Sequence, residues 1–375
     1  MLNQSLAGLA QAVAEKSGFG NIYGALHGVE GLLNNNMVEL GCINETKWHG
    51  IARTPGAILG STRHRLLREE IEIALDVIKK KNIGYCFIIG GNDSAETGHL
   101  IGSGARKTGL SLKVINVPKT IDNDLVETDH SPGYGSAARF VAEATMGIGR
   151  DVESMGSSAP IAILEVMGRD AGWLASASVL GKRDERDAPH IVVIPELPVS
   201  IERFIGIMEE TYSKHGIAVA VVAENARSEH GVLGAENPWY VDDFGHEYFA
   251  GAGKHLAELL GSKMGVRVRY EKPGTIQRSM ITTTSRTDAT EARMAGRAAV
   301  IYAGTGESDV MVTLQRIQSE NYQCVTGAVS LEKVAGKVKT MPDFMYDSIR
   351  YIPTPAFVRY AMPLIGGSLP RMERL

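Results

Sequence analysis

The chain has 375 residues, 44% hydrophobic and 22% charged, enough for a substantial core in two domains or one two-lobed α/β unit. A net charge of −4 leaves no basic excess to neutralise a phosphate backbone, which argues against a general nucleic-acid binder. Its apolar runs fall short of the ~20 residues a membrane-spanning helix needs, and the well-separated Cys42, Cys86 and Cys324 fit reduced cytoplasmic thiols better than disulfides or a zinc site.

The first predicted element is a helix that begins almost at Met1. Leu6, Leu9 and Val13 form its apolar face, Asn3 or Ser5 is its expected N-cap, and Gly18 stands near its end. A second helix is predicted over 65–82, with Leu67, Ile71, Leu75 and Ile78 inward and Arg68, Glu69, Glu72 and Lys79 outward. Short β-branched runs occur after it at 85–89, 112–117, 161–166, 190–194 and 217–223, alternating with amphipathic stretches. That alternation is the pattern of parallel α/β sheets.

The chemistry gathers where each run ends. The first leads into GGNDS (90–94), the second into PKTIDND (118–124), the third into Met167-Gly168-Arg169, the fourth into Pro195-Glu196 and the fifth into Glu224-Asn225. Ligands of open parallel sheets bind beyond the carboxyl ends of the strands, so these junctions predict one cleft built from distant segments. In GGNDS, Gly90 and Gly91 permit a turn whose amides can cradle an anion, although Asn92 and Asp93 would also suit a helix start. In PKTIDND, Asp122 is a candidate base for an attacking hydroxyl. Asp124 can orient a partner or help to hold Mg²⁺, and Lys119 offsets charge on a moving phosphoryl group. Arg63, Arg169, Arg269 and Arg278 are candidate phosphate forks, and Glu196 can accept from sugar hydroxyls. The ordinary alternatives are a solvated arginine in each case and, for Glu196, a carboxylate at a helix start. Walker A, HExxH and GxSxG motifs are missing from the sequence.

With these residues assembled, the chain resembles the phosphofructokinase family over nearly its whole length. The shared landmarks are GSTR (60–63), GGNDS, PKTIDND, EVMGRDAGWLA (165–175), PE (195–196) and GTIQRS (274–279). The resemblance implies two α/β lobes, each a mainly parallel sheet flanked by helices, with the active site in the cleft between them. It places a phosphoryl-donor lobe at 1–134 plus about 277–330 and a sugar-phosphate lobe at 135–276 plus about 331–375. Asp93 and Lys119 match the pyrophosphate-using branch, where ATP-using members carry glycine at both positions. A carboxylate at 93 would occupy and repel the place of an ATP α-phosphate.

The implied reaction is reversible, Mg²⁺-dependent transfer of phosphate from pyrophosphate to fructose 6-phosphate. Asp122 is its implied base, and Gly91, Arg63, Asp93 and Lys119 serve the donor. The sugar phosphate falls to Thr120, Ile121, Asp122, Met167, Gly168, Arg169, Glu196, Arg269, Thr275 and Arg278, and the metal to Asn92 and Asp124. A homodimer or homotetramer is implied, with one arginine reaching a neighbouring subunit.

The chain departs from the family at four places. Asn92 replaces a metal-linked aspartate, and Thr275 replaces a histidine or tyrosine. Pro160 stands where bacterial ATP-dependent members have an arginine from the adjacent subunit. The family's first strand and glycine-rich loop are also expected to be missing ahead of the opening helix. The competing readings are an ATP-dependent kinase of the same fold, sedoheptulose 7-phosphate as acceptor, and a truncated, non-catalytic paralogue.

Overall fold

The computed structural model describes residues 1–234, 237–249 and 251–374. Helix α1 (Leu2–Glu15) buries Leu6 and Leu9, as its periodicity requires, but Asn3 and Ser5 do not cap it. Asn3 is itself buried: its Nδ2 donates to Thr54 O at 2.8 Å and its Oδ1 accepts from Ile58 N at 2.9 Å, so Met1 takes the cap position. Helix α2 (Glu70–Lys80) begins later than residue 65. The Glu70 carboxylate binds Leu67 N at 2.9 Å and His64 Nε2 at 2.8 Å, closing a turn ahead of the helix. Leu75 and Ile78 are buried as expected, whereas Leu67, left outside the helix, is exposed.

β1 (Tyr85–Gly90), α3 (Asn92–Thr108) and β2 (Lys113–Pro118) make the first β–α–β unit, and α4 (Tyr134–Met155) leads out of it. Next come β3 (Ile161–Val166), β4 (Ile191–Val193), α5 (Ile201–His215) and β5 (Ala218–Ala223). A small hairpin of β6 (Tyr240–Val241) and β7 (Glu247–Tyr248) precedes α6 (Ala252–Met264) and β8 (Val268–Glu271). The chain then forms α7 (Arg286–Gly304), β9 (Val310–Arg316) and β10 (Cys324–Ser330).

Two four-stranded sheets result. The first has the order β10-β9-β2-β1 and is parallel except for β10, which runs against β9. The second, β8-β3-β5-β4, is wholly parallel. Its central strands β3 and β5 are buried at every residue, which accounts for runs that are apolar throughout except for Glu165 of β3, whose carboxylate accepts from Gly253 N and Tyr270 Oη, both at 2.9 Å. The largest core cluster lies around this sheet and takes in Phe357, Leu364 and Ile365 from the C-terminal segment. Strand β1 is the edge of the first sheet. Its half-buried Tyr85, Phe87 and Ile89 border a cavity shared with Leu6, Leu9 and Val13 of α1.

Candidate active site

Parallel registration brings the two most telling motifs together. Gly90 pairs with Pro118 at the ends of β1 and β2, so GGNDS and PKTIDND leave the sheet side by side, joined by Lys119 N donating to Gly90 O at 3.0 Å. A Cβ on Gly91 would lie 3.6 Å from both Lys119 O and Thr120 Cβ, so the two turns are in near contact. Asn92 Nδ2 donates to Asp124 Oδ2 at 2.8 Å, and Asp122 N donates to Thr120 Oγ1 at 3.2 Å.

The loop carrying these carboxylates is held from behind. Asn123 adopts φ +58°, receives Ser131 N at 3.0 Å and donates to Tyr360 Oη at 2.7 Å; that hydroxyl in turn donates to Asp129 O at 2.8 Å. Asparagine tolerates the left-handed region because its short amide bonds locally. With Asn123 turned inward, Asp122 and Asp124 line the cleft.

The second sheet supplies the facing wall. Met167 comes directly after β3, its N–H donating to Gln277 Oε1 at 3.2 Å, and Glu224 comes directly after β5, its N–H donating to Val166 O at 2.9 Å. Met167, Arg169, Glu224, Thr275 and Arg278 line the same cavity of about 2390 Å³ as Arg63, Gly91 and Asp93. Asn92, Lys119, Thr120 and Ile121 line it too. Three expected residues, Gly168, Glu196 and Arg269, are not in the lining formed by the described residues. The Glu196 carboxylate instead accepts from Gly172 N at 2.8 and 2.9 Å and from Met341 N at 3.1 Å. Arg269, on β8, pairs with Asp151 of α4.

Burial governs the electrostatics. It raises the proton affinity of Asp122, with the nearby Glu224 adding to the effect while Lys119 and Arg169 oppose it. Asp124 is raised by burial and then by Asp122. Burial, and after it Arg278, makes the Lys119 ammonium easier to deprotonate. Asp93 is raised by burial against the pull of His246 and Arg63.

Several buried polar atoms here have no protein partner: Asn92 Oδ1, Asp122 Oδ1, Asp124 Oδ1 and Arg169 Nη1. Such atoms are costly unless something else satisfies them, so their clustering marks a ligand site. Asn92 Oδ1 and Asp124 Oδ1 are hard oxygen donors on two side chains already bonded to each other. They fit a Mg²⁺ ion that takes its remaining ligands from water and phosphate.

Sequence reasoning gave no role to Glu224, Gln277, Phe244 or His246. Glu224 had a visible signal, a carboxylate directly after a strand. Phe244 and His246 belong to the turn between β6 and β7, and no local pattern announces that this turn reaches the cleft.

Two sheets sharing a cleft, with an aspartate-bearing turn opposite arginines, define an α/β phosphoryl-transfer enzyme. The phosphofructokinase family profile matches residues 1–302, and the chain belongs to that family. It is 37% identical to the pyrophosphate–fructose 6-phosphate 1-phosphotransferase of Rhodospirillum rubrum, over 100% of this chain and 93% of that protein. With the enzyme of the same name from Halomonas elongata it shares 34% identity over 98% of this chain and 89% of the other. The crystal structure of a pyrophosphate-dependent phosphofructokinase from Nitrosospira multiformis superposes with a TM-score of 0.90 at 32% identity, covering 100% of this chain and 91% of that one.

Proposed function

We propose that this protein transfers a phosphoryl group reversibly from pyrophosphate to the 1-hydroxyl of fructose 6-phosphate, giving fructose 1,6-bisphosphate and phosphate. The observation that carries the reading is that Asp93, Lys119 and Asp122 line one cleft, with the first two being the residues of the pyrophosphate-using branch. Asp122 takes the proton of the sugar 1-hydroxyl; the sugar oxygen then attacks the near phosphorus of pyrophosphate, and the bridging P–O bond breaks to release phosphate. Burial strengthens Asp122 as a base, while Lys119 and Arg63 face the charge that develops on the leaving phosphate. Asn92 and Asp124 would hold Mg²⁺, which when bound supplies neutralising charge to the donor oxygens.

Thr120, Ile121, Met167, Arg169, Thr275 and Arg278 form the acceptor wall in this reading, with Gly168 shaping the turn that presents Arg169. Glu196, committed to backbone amides, fixes the 172 turn behind the sugar site. Arg269 is assigned to the neighbouring subunit of a homodimer or homotetramer. The donor lobe is taken as 1–134 plus about 277–330 and the sugar lobe as 135–276 plus about 331–375, a division in which each sheet falls within one lobe. All three cysteines are free thiols, which suits the cytoplasm. Among the described residues no helix is long and apolar enough to cross a membrane.

The test is turnover of fructose 6-phosphate by the purified chain with Mg²⁺, comparing pyrophosphate with ATP. Activity with pyrophosphate, lost by roughly 10²–10⁴-fold in Asp122→Ala, is expected. Full turnover by that variant would reject the assigned base, and activity with ATP alone would reject the donor.

A further inference from the structure

The hairpin of β6 and β7 leaves the second sheet's connections and touches the first lobe at the donor end of the cleft. Its turn is built around one buried carboxylate. Asp242 Oδ1 accepts from Phe244 N at 3.1 Å and His246 N at 3.0 Å, while Oδ2 is 3.1 Å from His246 Nδ1 and accepts from Tyr248 Oη at 3.2 Å. A ring that gives its Nδ1–H to Asp242 turns Nε2 the other way, and Nε2 lies 3.7 Å from Asp93 Oδ1. Phe244 and His246 both line the cavity. Tyr248, two residues on, lies beneath the Arg169 guanidinium, 4.9 Å from ring centre to Cζ. One hairpin thus touches Asp93 on the donor side and Arg169 on the acceptor side.

Asp93 alone is a poor neighbour for an anionic donor. Like charges repel at close range, and Asp93 lines the cleft in which that donor would lie. A cationic or hydrogen-bonding group beside it offsets that repulsion, and His246 is held by the Asp242-centred turn in the place to do so. The approach to Asp93 also stops short of a normal hydrogen bond, so a ring protonated at Nε2 as well as Nδ1 can donate to a phosphate oxygen instead. With Phe244, the turn lines the cavity next to Asp93, on the side where a donor longer than pyrophosphate would meet it.

We propose that His246 is a donor-phosphate contact, held by Asp242, that lets the Asp93 site accept pyrophosphate and covers the path a nucleoside triphosphate would need. The proposal rests on the pyrophosphate reading of the cleft.

Steady-state kinetics and calorimetric pyrophosphate titrations on the full chain with Mg²⁺ test it, using His246→Gln, His246→Lys and, as a hairpin control, the exposed Trp239→Ala. A lost hydrogen bond to a phosphate oxygen corresponds to about a tenfold or greater rise in Kd and KM for pyrophosphate in His246→Gln. KM for fructose 6-phosphate and the melting temperature should stay near wild type. His246→Lys, which supplies a cationic donor, should recover most of the loss, and Trp239→Ala should match wild type. An active wild type with unchanged pyrophosphate affinity in His246→Gln overturns the role of His246 while leaving the pyrophosphate reading intact. Equal losses for both substrates, with a lowered melting temperature and no rescue by lysine, overturn it too by assigning the ring a structural role. A wild type that neither binds nor uses pyrophosphate overturns both readings.

Discussion

At the scale of single residues, function concentrates where strands end. Asp93 and Lys119 come from different β–α turns, yet the pairing of Gly90 with Pro118 places both turns on one edge of the cleft. The identities were legible in the sequence because each motif is contiguous. Their partners were not: Asn92 meets Asp124 across an interval of 32 residues, and Asn123 meets Tyr360 across 237. Asp93→Gly removes the carboxylate that would confront a nucleotide α-phosphate. Its kcat/KM ratio for pyrophosphate over ATP should fall by about tenfold or more, the equivalent of roughly 1.4 kcal/mol. An unchanged ratio would show that Asp93 does not select the donor.

At the scale of elements, α1 is fixed by its crossing with α7. A Cβ on Gly296 would lie 2.0 Å from Ser5 O, and one on Gly8 would lie 2.2 Å from Arg293 O. Both obstacles are backbone atoms, so a methyl group can be accommodated only by separating the helices. Gly296→Ala should therefore destabilise the fold by about 1–3 kcal/mol in urea unfolding. Gly147, within α4, has open space where its Cβ would be; Gly147→Ala should be neutral or stabilising by up to about 1 kcal/mol. A matching response of the two variants would contradict the close crossing. The existence of α1 and its apolar face were readable from spacing, but its cap was not. Asn3 satisfies both sides of its amide on the 54–58 loop, a tertiary bond that outcompetes the local one.

For the whole molecule, a buried charged network around His130 ties α7 and β9 to Tyr360 of the C-terminal segment. Its Nδ1 is 2.9 Å from Asp129 and its Nε2 2.6 Å from Glu291 of α7, while Tyr322 donates to the second Glu291 oxygen at 2.6 Å. Arg316 of β9 reaches Asp129 at 3.1 Å and packs over Tyr322 and Tyr360. Burial by itself disfavours the imidazolium, but the bonds to Asp129 and Glu291 outweigh it, and the His130 pKa is raised. A histidine raised in the folded state adds stability that is fully present below its unfolded value, about 6.5, and is lost as pH climbs through the folded value. The difference in unfolding free energy between wild type and His130→Gln should therefore be largest on the acid side of neutrality and shrink at alkaline pH. A difference that stays constant across pH would mean that His130 is not held charged.

The sequence by itself determined the alternation of strands and helices, the chemistry at each strand's end and the family to which the chain belongs. These are local properties: backbone preference, apolar period and contiguous motifs survive without knowledge of packing. Only the tertiary structure decided that Glu196 is spent on the amides of Gly172 and Met341, that Arg269 pairs with Asp151, and that His246 faces Asp93. Each of these joins residues far apart in the chain, and their distances are set by how two sheets and a hairpin pack. No local propensity encodes that packing.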